Sequence, residues 1–341
     1  MIRPLLLGAF ALGACQSDDA DQLHDRGLGD ERVFETASFD TLWSLGEQAD
    51  STFGFLWSPR SAPGGGLYIA DIGNAKLHHV NPVGELVWSY GRRGQGPGEL
   101  LEVRVMDVDA QGNAVIIDNP NRRIVTIGPD GSLVSEFSLP QEVGYTSAVA
   151  ALDNGNLAVA YQGYYQDGGP WALLSNEGDL LETIDPPWEG FAEKHFLELI
   201  GQAISVRGTD RWVYSFDAAG EWIVFDGADV QGRYPHIERV PFAEVTVTNT
   251  ERGSQASYKD RPIHTTADLA VREDTLFVLY WGTTENSGRV MDKYDVNTGA
   301  YLGSVLFPGR TTGVTFGNDG TIVTVSDSRL FHTVTALRKS P

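Results

Sequence analysis

The chain is poor in cysteine, in lysine and in long apolar runs. Its 341 residues include one cysteine, Cys15, so no intramolecular disulfide can form. Only 25 residues are basic against 46 acidic ones, which gives a net charge of −21. This balance excludes a nucleic-acid binder of the usual basic kind, because phosphate contacts need a clustered positive face. After the N-terminal segment, no stretch is long and apolar enough to cross a bilayer as a helix.

The N-terminal segment has the order of features of an export signal. The residues MIRPLLLGAFALGACQSDDADQ hold Arg3, a short apolar run and then Cys15. This order resembles a bacterial lipoprotein signal, which implies a signal peptide over 1–14, acylation of Cys15 and a polar tether over 15–31. The resemblance implies an exported lipoprotein of the outer membrane, periplasmic or surface-facing, whose membrane contact is the lipid anchor. An ordinary secretory signal with a chance cysteine is the alternative.

A repeat decides the expected fold. Residues 69–91 (IADIGNAKLHHVNPVGELVWSYG) and 116–138 (IIDNPNRRIVTIGPDGSLVSEFS) align without a gap at an offset of 47. Each copy holds three short β-rich runs with a glycine turn before the last, and weaker copies follow along the chain. This pattern predicts an all-β, six-bladed β-propeller over 32–341 with four antiparallel strands per blade.

The last blade is one strand short in the sequence. We expect an N-terminal strand within 32–45 to complete it, because this closure covers an edge strand. The segments 187–201 and 239–266 lack strand patterning and are interpreted as insertions. A closed ring without a long exposed edge favours a monomer.

One segment carries a family resemblance. Gly91–Glu99 reads GRRGQGPGE and matches the G-x-x-G-x-G-P-G-E segment of bacterial six-bladed β-propeller lipoproteins, which are NHL-repeat-like. The resemblance extends over nearly the whole mature domain and is strongest over 66–140. It implies the fold far more firmly than a function.

Arginine-rich loops are the first candidate site. The loops that join second to third strands, and those that join successive blades, lie on one face of a propeller, here called the top face. On it, the side chains of a glycine-rich loop and of the next blade are candidates for binding an anionic ligand, since guanidinium groups suit carboxylate and phosphate: Arg92, Arg93, Gln95, Glu99, Arg122 and Arg123. The alternative is a structural crossover in which Glu99 pairs with an arginine.

Aromatic residues form the second candidate site. Tyr164, Tyr165 and Trp188 belong to a cluster around one blade and its insertion, and such a platform suits sugar or peptide stacking. The alternative is that the cluster packs the insertion onto the propeller. The spacing of apolar residues over 191–200 predicts one amphipathic helix there.

Metal sites have weaker signals. Asp71 and Asp118 hold equivalent places in the repeats. A ring of carboxylates there would bind Ca²⁺, and the favoured alternative is that each aspartate begins a turn by accepting backbone hydrogen bonds. The other blades carry Gln162, Asp217 and Gly282 near that place, so the ring is incomplete. The top-face residues His195 and His264 leave Zn²⁺ open, although no zinc-binding spacing occurs in the sequence.

Two functions from different classes follow. The favoured one is a lipid-anchored envelope propeller whose loop-rich face binds a protein, peptide or glycan without catalysis. The alternative is a metal-dependent lyase or hydrolase of the propeller type with a site in the central channel. No complete catalytic set of residues is present in the sequence, which favours binding.

Overall fold

A computed structural model shows six four-stranded antiparallel sheets arranged as the blades of a β-propeller. It describes residues 32–46, 52–162, 169–185, 188, 191, 194–250, 253–282, 286–328 and 331–340. The first strand, β1, is Phe39–Leu45 and belongs to the last blade. The predicted fold and the number of strands per blade are therefore confirmed.

In each of the first three blades, the strands follow one another in chain order from the axis outward. Blade 1 contains β2 (Leu56–Ser61), β3 (Leu67–Asp71), β4 (Lys76–Val80) and β5 (Leu86–Tyr90). Blade 2 contains β6 (Val105–Val108), β7 (Ala114–Asp118), β8 (Arg123–Ile127) and β9 (Leu133–Ser138). Blade 3 contains β10 (Tyr145–Ala151), β11 (Leu157–Gln162), β12 (Trp171–Leu174) and β13 (Leu180–Ile184). Short 3₁₀ helices lie at Pro63–Gly65 and Asn119–Asn121.

The second half of the ring adds one hairpin to the same plan. Blade 4 contains β14 (Gly201–Ser205), β15 (Arg211–Phe216), β16 (Glu221–Asp226) and β17 (Asp229–Pro235). The hairpin is β18 (Val245–Thr250) and β19 (Gly253–Tyr258). Blade 5 contains β20 (Thr266–Arg272), β21 (Thr275–Tyr280), β22 (Val290–Asp295) and β23 (Tyr301–Leu306). Blade 6 contains β24 (Thr311–Phe316), β25 (Ile322–Ser328) and β26 (Phe331–Lys339), followed by β1.

Strand composition explains the layering within each blade. The middle strands β7 (AVIID) and β8 (RIVTI) are buried at every position, because both of their faces pack against neighbouring blades. The outer strand β9 (LVSEFS) is exposed or half-buried throughout. The core is thus divided into apolar layers between successive blades. None of the helices among the described residues is long and apolar enough to span a membrane.

The ring closes through the N-terminal strand, as the sequence predicts. β1 pairs antiparallel with β26, in a register that runs from Phe39 opposite Lys339 to Leu45 opposite Val334. Just before β1, the Arg32 guanidinium donates to the Asp292 carboxylate at 2.9 Å. The N-terminal segment therefore contacts blade 5 through Arg32 and pairs with blade 6 through β1.

Aromatic side chains on outer strands cover glycines of the next blade. Gly84 has a φ of +88°, and a Cβ there would lie 2.7 Å from the ring of Trp43. The Trp43 indole also donates to the Pro82 carbonyl at 3.0 Å. The same arrangement recurs around the ring: Trp88 on Gly131, Phe137 on Gly178 and Tyr234 on Gly299. These glycines need both their positive φ and the absent side chain.

Two expectations about the insertions are wrong. The only helical element described within 191–200 is a 3₁₀ helix, Phe196–Glu198, instead of a long amphipathic helix. A long helix does not fit here, because the chain is extended again from Gly201, where β14 begins. Phe191 packs into the core against Trp171, so the spacing of apolar residues over 191–200 reflects the packing of a short segment. The 239–266 segment forms the β18–β19 hairpin, whose start, VTVT, alternates in the manner of a strand.

Candidate functional site

A pocket opens on the axis at the top face. Its volume is about 250 Å³, and its walls come from the inner strands of blades 1 to 4 and from the ends of the second strands of blades 3 and 4. We call it the upper pocket. The side chains that give it chemical character are Trp57, Arg104, Tyr145, Gln162, Gln202 and Asp217. Four of the six blades thus contribute to one cavity.

Asp217 is the acidic group of the upper pocket. It follows β15, where its backbone N–H donates to the Ile200 carbonyl at 2.8 Å, and its side chain accepts from Gln202 Nε2 at 3.2 Å. Burial raises the pKa of Asp217 to about 6, while the Gln202 hydrogen bond and the positive charge of Arg104 oppose that rise. Its surface is still partly open to the pocket. Such a carboxyl can accept a hydrogen bond from a ligand or hold a proton in mildly acidic conditions.

The opposite wall is basic and aromatic. Arg104 is exposed, and its guanidinium carbon lies 5.3 Å from the centroid of the Trp57 ring, as in a cation–π contact. Tyr145 is 46% exposed, and its hydroxyl donates to Glu102 Oε1 at 3.0 Å. The pocket therefore offers the exposed Arg104 cation, one carboxyl, two amides and aromatic surface for a polar ligand, while the buried Arg60 in its wall pairs with Asp268.

The glycine-rich loop folds on itself. Arg92 Nη2 pairs with Glu99 Oε1 at 2.9 Å, and Glu99 also accepts from the Gly96 backbone at 2.8 Å. Arg93 donates to the carbonyl of Gly73 at 3.1 Å, and Gln95 is exposed. This geometry fits the structural crossover, the second of the two interpretations of this loop. The Arg92 side chain is 74% exposed, so it remains open to an anion in solution.

The two arginines of the next blade, Arg122 and Arg123, form hydrogen bonds and ion pairs within the protein. Arg122 donates to the Pro140 carbonyl at 2.7 Å and to the Val143 carbonyl at 3.0 Å. Arg123 is buried, pairs with Asp118 at 3.2 Å and with Glu136 at 2.9 Å, and donates to the Glu99 carbonyl. The four arginines therefore do not form one open basic patch.

The predicted aromatic platform is described in part. Tyr164 and Tyr165 lie outside the described residues. Trp188 is half-buried, with its ring centroid 5.8 Å from that of Phe191, and the Arg233 guanidinium covers its ring at 5.0 Å. Of the candidate ligand-binding residues that the structure describes, none lines the upper pocket. Cys15 is likewise outside the described residues.

The candidate metal ligands are occupied by turns and caps. Asp71 accepts from the backbone of Gly54 at 2.8 Å and of Asn74 at 3.0 Å. Burial alone would raise the pKa of Asp71, but the hydrogen bonds from His78, Gly54 and Asn74 outweigh it and lower the pKa to about 2. His195 caps the 3₁₀ helix by accepting from Leu197 N at 3.3 Å. Across the described ranges, no three His, Cys, Asp or Glu side chains group as metal ligands would.

Sequence reasoning missed the pocket residues as a set. Gln162 and Asp217 hold the places in blades 3 and 4 that Asp71 and Asp118 hold in blades 1 and 2, and that equivalence was visible in the repeat. The repeat does not show that the residues at these places in blades 3 and 4 line the upper pocket. Arg104 and Gln202 carry no motif at all.

The carboxyl of Asp217 predicts a pH dependence of stability. Its pKa is about 6 in the folded chain against about 3.9 unfolded, so stability present below pH 4 is lost as pH rises through 6. We expect Asp217→Asn to remove about 1–2 kcal/mol of that fall. Urea unfolding of both proteins between pH 4 and pH 7 measures it, and parallel pH profiles would contradict the assignment.

Solved structures of other propellers resemble this chain. A Bacteroides fragilis protein that carries the name of an exported protein is 16% identical, with a TM-score of 0.56 over 89% of this chain and 95% of that chain. Virginiamycin B lyase from Staphylococcus aureus is 11% identical (TM-score 0.54, 88% and 99% covered), and the WD40 repeats of RRP9 are 10% identical (0.54, 90% and 99%). No protein-family model and no curated protein sequence matches the chain. The likeness therefore establishes the β-propeller fold alone.

Proposed function

We propose that this protein is a lipid-anchored envelope β-propeller, NHL-repeat-like, that binds a peptide or glycan segment in the upper pocket without catalysis. The observation that carries the proposal is the pocket itself. It combines the Asp217 carboxyl, the amides of Gln162 and Gln202, the Arg104 guanidinium and the Trp57 ring in one cavity on the axis. Hydroxyl and amide groups of a sugar or peptide can pair with these donors and acceptors, while a ring or an aliphatic side chain packs on Trp57.

The size of the upper pocket limits what enters it. A volume of about 250 Å³ lies just below the range of about 300–1,000 Å³ that is typical of sites for whole small molecules. One sugar ring or one amino-acid side chain fits this space. The remainder of a longer ligand, including a segment of an envelope protein, would lie on the top-face loops around the opening.

Anchoring rests on the N-terminal sequence. The order of a positive start, an apolar run and Cys15 supports acylation, and the exported name of the Bacteroides fragilis neighbour agrees with export. Acylation by two or three chains anchors a protein stably. Replacing Cys15 with Ser would then move the protein from the membrane fraction to the soluble fraction.

Glycan and peptide arrays test the binding function. Purified wild-type protein is screened, and each hit is measured by calorimetry. We expect Asp217→Ala to weaken binding at least tenfold, because a hydrogen bond to a charged group contributes about 1.5–3 kcal/mol. Asp229→Ala, which removes an exposed carboxyl at the start of β17, is the matched control and should leave affinity unchanged. An array without hits, or hits that bind Asp217→Ala as tightly as wild type, would refute the proposal.

The enzymatic alternative has one observation in its favour. A pKa near 6 suits a general acid or base, and Asp217 has such a pKa beside an open cavity. A metal-dependent lyase or hydrolase would also hold Zn²⁺ or Ca²⁺. Stoichiometric metal in the purified protein, lost together with turnover of an array hit in Asp217→Asn, would favour that alternative over binding alone.

A further inference from the structure

A second cavity lies at the other end of the axis. Its volume is about 350 Å³, and it is lined by turns between first and second strands, on the face opposite the upper pocket. We call it the lower pocket. Three arginines line it, Arg60, Arg207 and Arg272, together with the acidic residues Asp107 and Glu273. In a chain with a net charge of −21, this lining is unusual because its basic residues outnumber its acidic ones.

Arg60 is the buried member of this group. It lies on β2 between the two pockets, is 5% exposed, and donates from Nη1 to Asp268 Oδ1 and to the Pro59 carbonyl, both at 3.0 Å. Its Nε is buried and has no hydrogen-bond partner among the residues that the structure describes. The buried Asp268 carboxylate balances the charge of Arg60, so the free positive charge of the lower pocket comes from the other two arginines.

The charges of the lower pocket that are open to solvent belong to two arginines and one glutamate. Arg207 and Arg272 are exposed, and neither forms an ion pair with a described residue, although Arg207 donates to the Ser61 carbonyl. The carboxylate of Asp107 is occupied, since its Oδ2 accepts from the backbone of Ala151 at 3.0 Å and of Ser205 at 3.2 Å. Glu273 is thus the one acidic group of the lining that is open to solvent.

We propose that the lower pocket binds a phosphate group. Guanidinium groups bind phosphate through paired charge-assisted hydrogen bonds, and the two exposed guanidinium groups, those of Arg207 and Arg272, are available for such bonds. The phosphate belongs either to a soluble compound or to a lipid headgroup of the membrane to which the protein is anchored. This site shares Arg60 with the upper pocket but opens on the opposite face, and it does not depend on the proposed function.

Calorimetry with inorganic phosphate at low ionic strength tests the site. We expect one phosphate per chain, and at least tenfold weaker binding in the double variant Arg207→Gln/Arg272→Gln, which changes exposed side chains and so preserves the fold. Glu273→Gln should tighten binding several-fold, because it removes a like charge next to the anion. Arg92→Gln/Arg93→Gln tests whether the exposed top-face arginines bind the anion instead. Arg261→Gln/Arg310→Gln is the matched control, because both side chains are exposed and outside the lower pocket, and it should bind phosphate as wild type does.

Vesicles distinguish the two sources of phosphate. Binding to phosphatidylglycerol vesicles that is lost in Arg207→Gln/Arg272→Gln identifies a lipid headgroup, and binding of inorganic phosphate without vesicle binding identifies a soluble compound. The proposal is overturned if wild-type protein binds neither probe. It is equally overturned if affinity falls in Arg92→Gln/Arg93→Gln and not in Arg207→Gln/Arg272→Gln.

Discussion

Replacing Arg32 with Ala is expected to cost about 3–5 kcal/mol of the free energy of unfolding. The Arg32 side chain is 9% exposed and pairs with the fully buried Asp292 and with Glu238. Its guanidinium carbon also lies 4.1 Å from the centroid of the Tyr280 ring. Without Arg32, the Asp292 carboxylate stays in the interior with no cation beside it. Guanidinium-induced unfolding at pH 7 measures the loss.

The Arg32 prediction has two controls. Arg338→Ala breaks an ion pair with Asp319 in which both side chains are about 60% exposed, so it should cost less than about 1 kcal/mol. The double variant Arg32→Met/Asp292→Leu should recover much of the stability that Arg32→Ala loses, because it leaves no buried charge. Equal losses in Arg32→Ala and Arg338→Ala would show that the N-terminal segment does not hold the ring closed through this pair.

Trp171→Ala is expected to destabilise the protein by about 3–5 kcal/mol through the cavity that it leaves. Trp171 is fully buried between blades 3 and 4. Its ring centroid lies 5.3 Å from those of Tyr214 and Phe225 and 5.8 Å from that of Phe191. Because Phe191 comes from the insertion, the substitution also loosens that segment. Thermal and denaturant unfolding report the change.

Trp188 supplies the matched control for Trp171. It belongs to the same aromatic group but is half-buried, and its ring is covered by Arg233. We expect Trp188→Ala to cost about 1 kcal/mol, the size of one cation–π contact near the surface. If both variants lost the same free energy, the layer between blades 3 and 4 would not be centred on Trp171.

The fold could be predicted because it repeats. The match between residues 69–91 and 116–138 shows the strand pattern twice, and the shortage of one strand at the end of the chain implies closure by β1. The structure of the insertions was harder to predict, because each insertion occurs once and its alternation of apolar and polar residues is brief. The hairpin from Val245 to Tyr258 is held by its own pairing, without a copy elsewhere that would reveal it.

The upper pocket could not be predicted in the same way. Its residues are far apart in sequence and meet because the ring brings the starts of β2, β6, β10 and β14 to one point on the axis. The arginines that stand out in the sequence do not line the pocket, because they bind other parts of the protein. Arg122 and Arg123 donate hydrogen bonds to backbone carbonyls, and Arg123 also pairs with the Asp118 carboxylate. A motif shows which side chains are present, and tertiary structure decides which of them remain open to a ligand.

The aromatic side chains that cover glycines make blades 1, 2, 3 and 5 depend on the sequence of the preceding blade. Trp43 and Gly84 join the sixth blade to the first in the way that Trp88 and Gly131 join the first to the second. A change of ring size at one of these positions is therefore expected to coevolve with the residue at the glycine position that the ring covers. The closing junction has the same contact as the junctions into blades 2 and 3, so a chain permuted to begin at either of those blades would have this contact at its new closing junction.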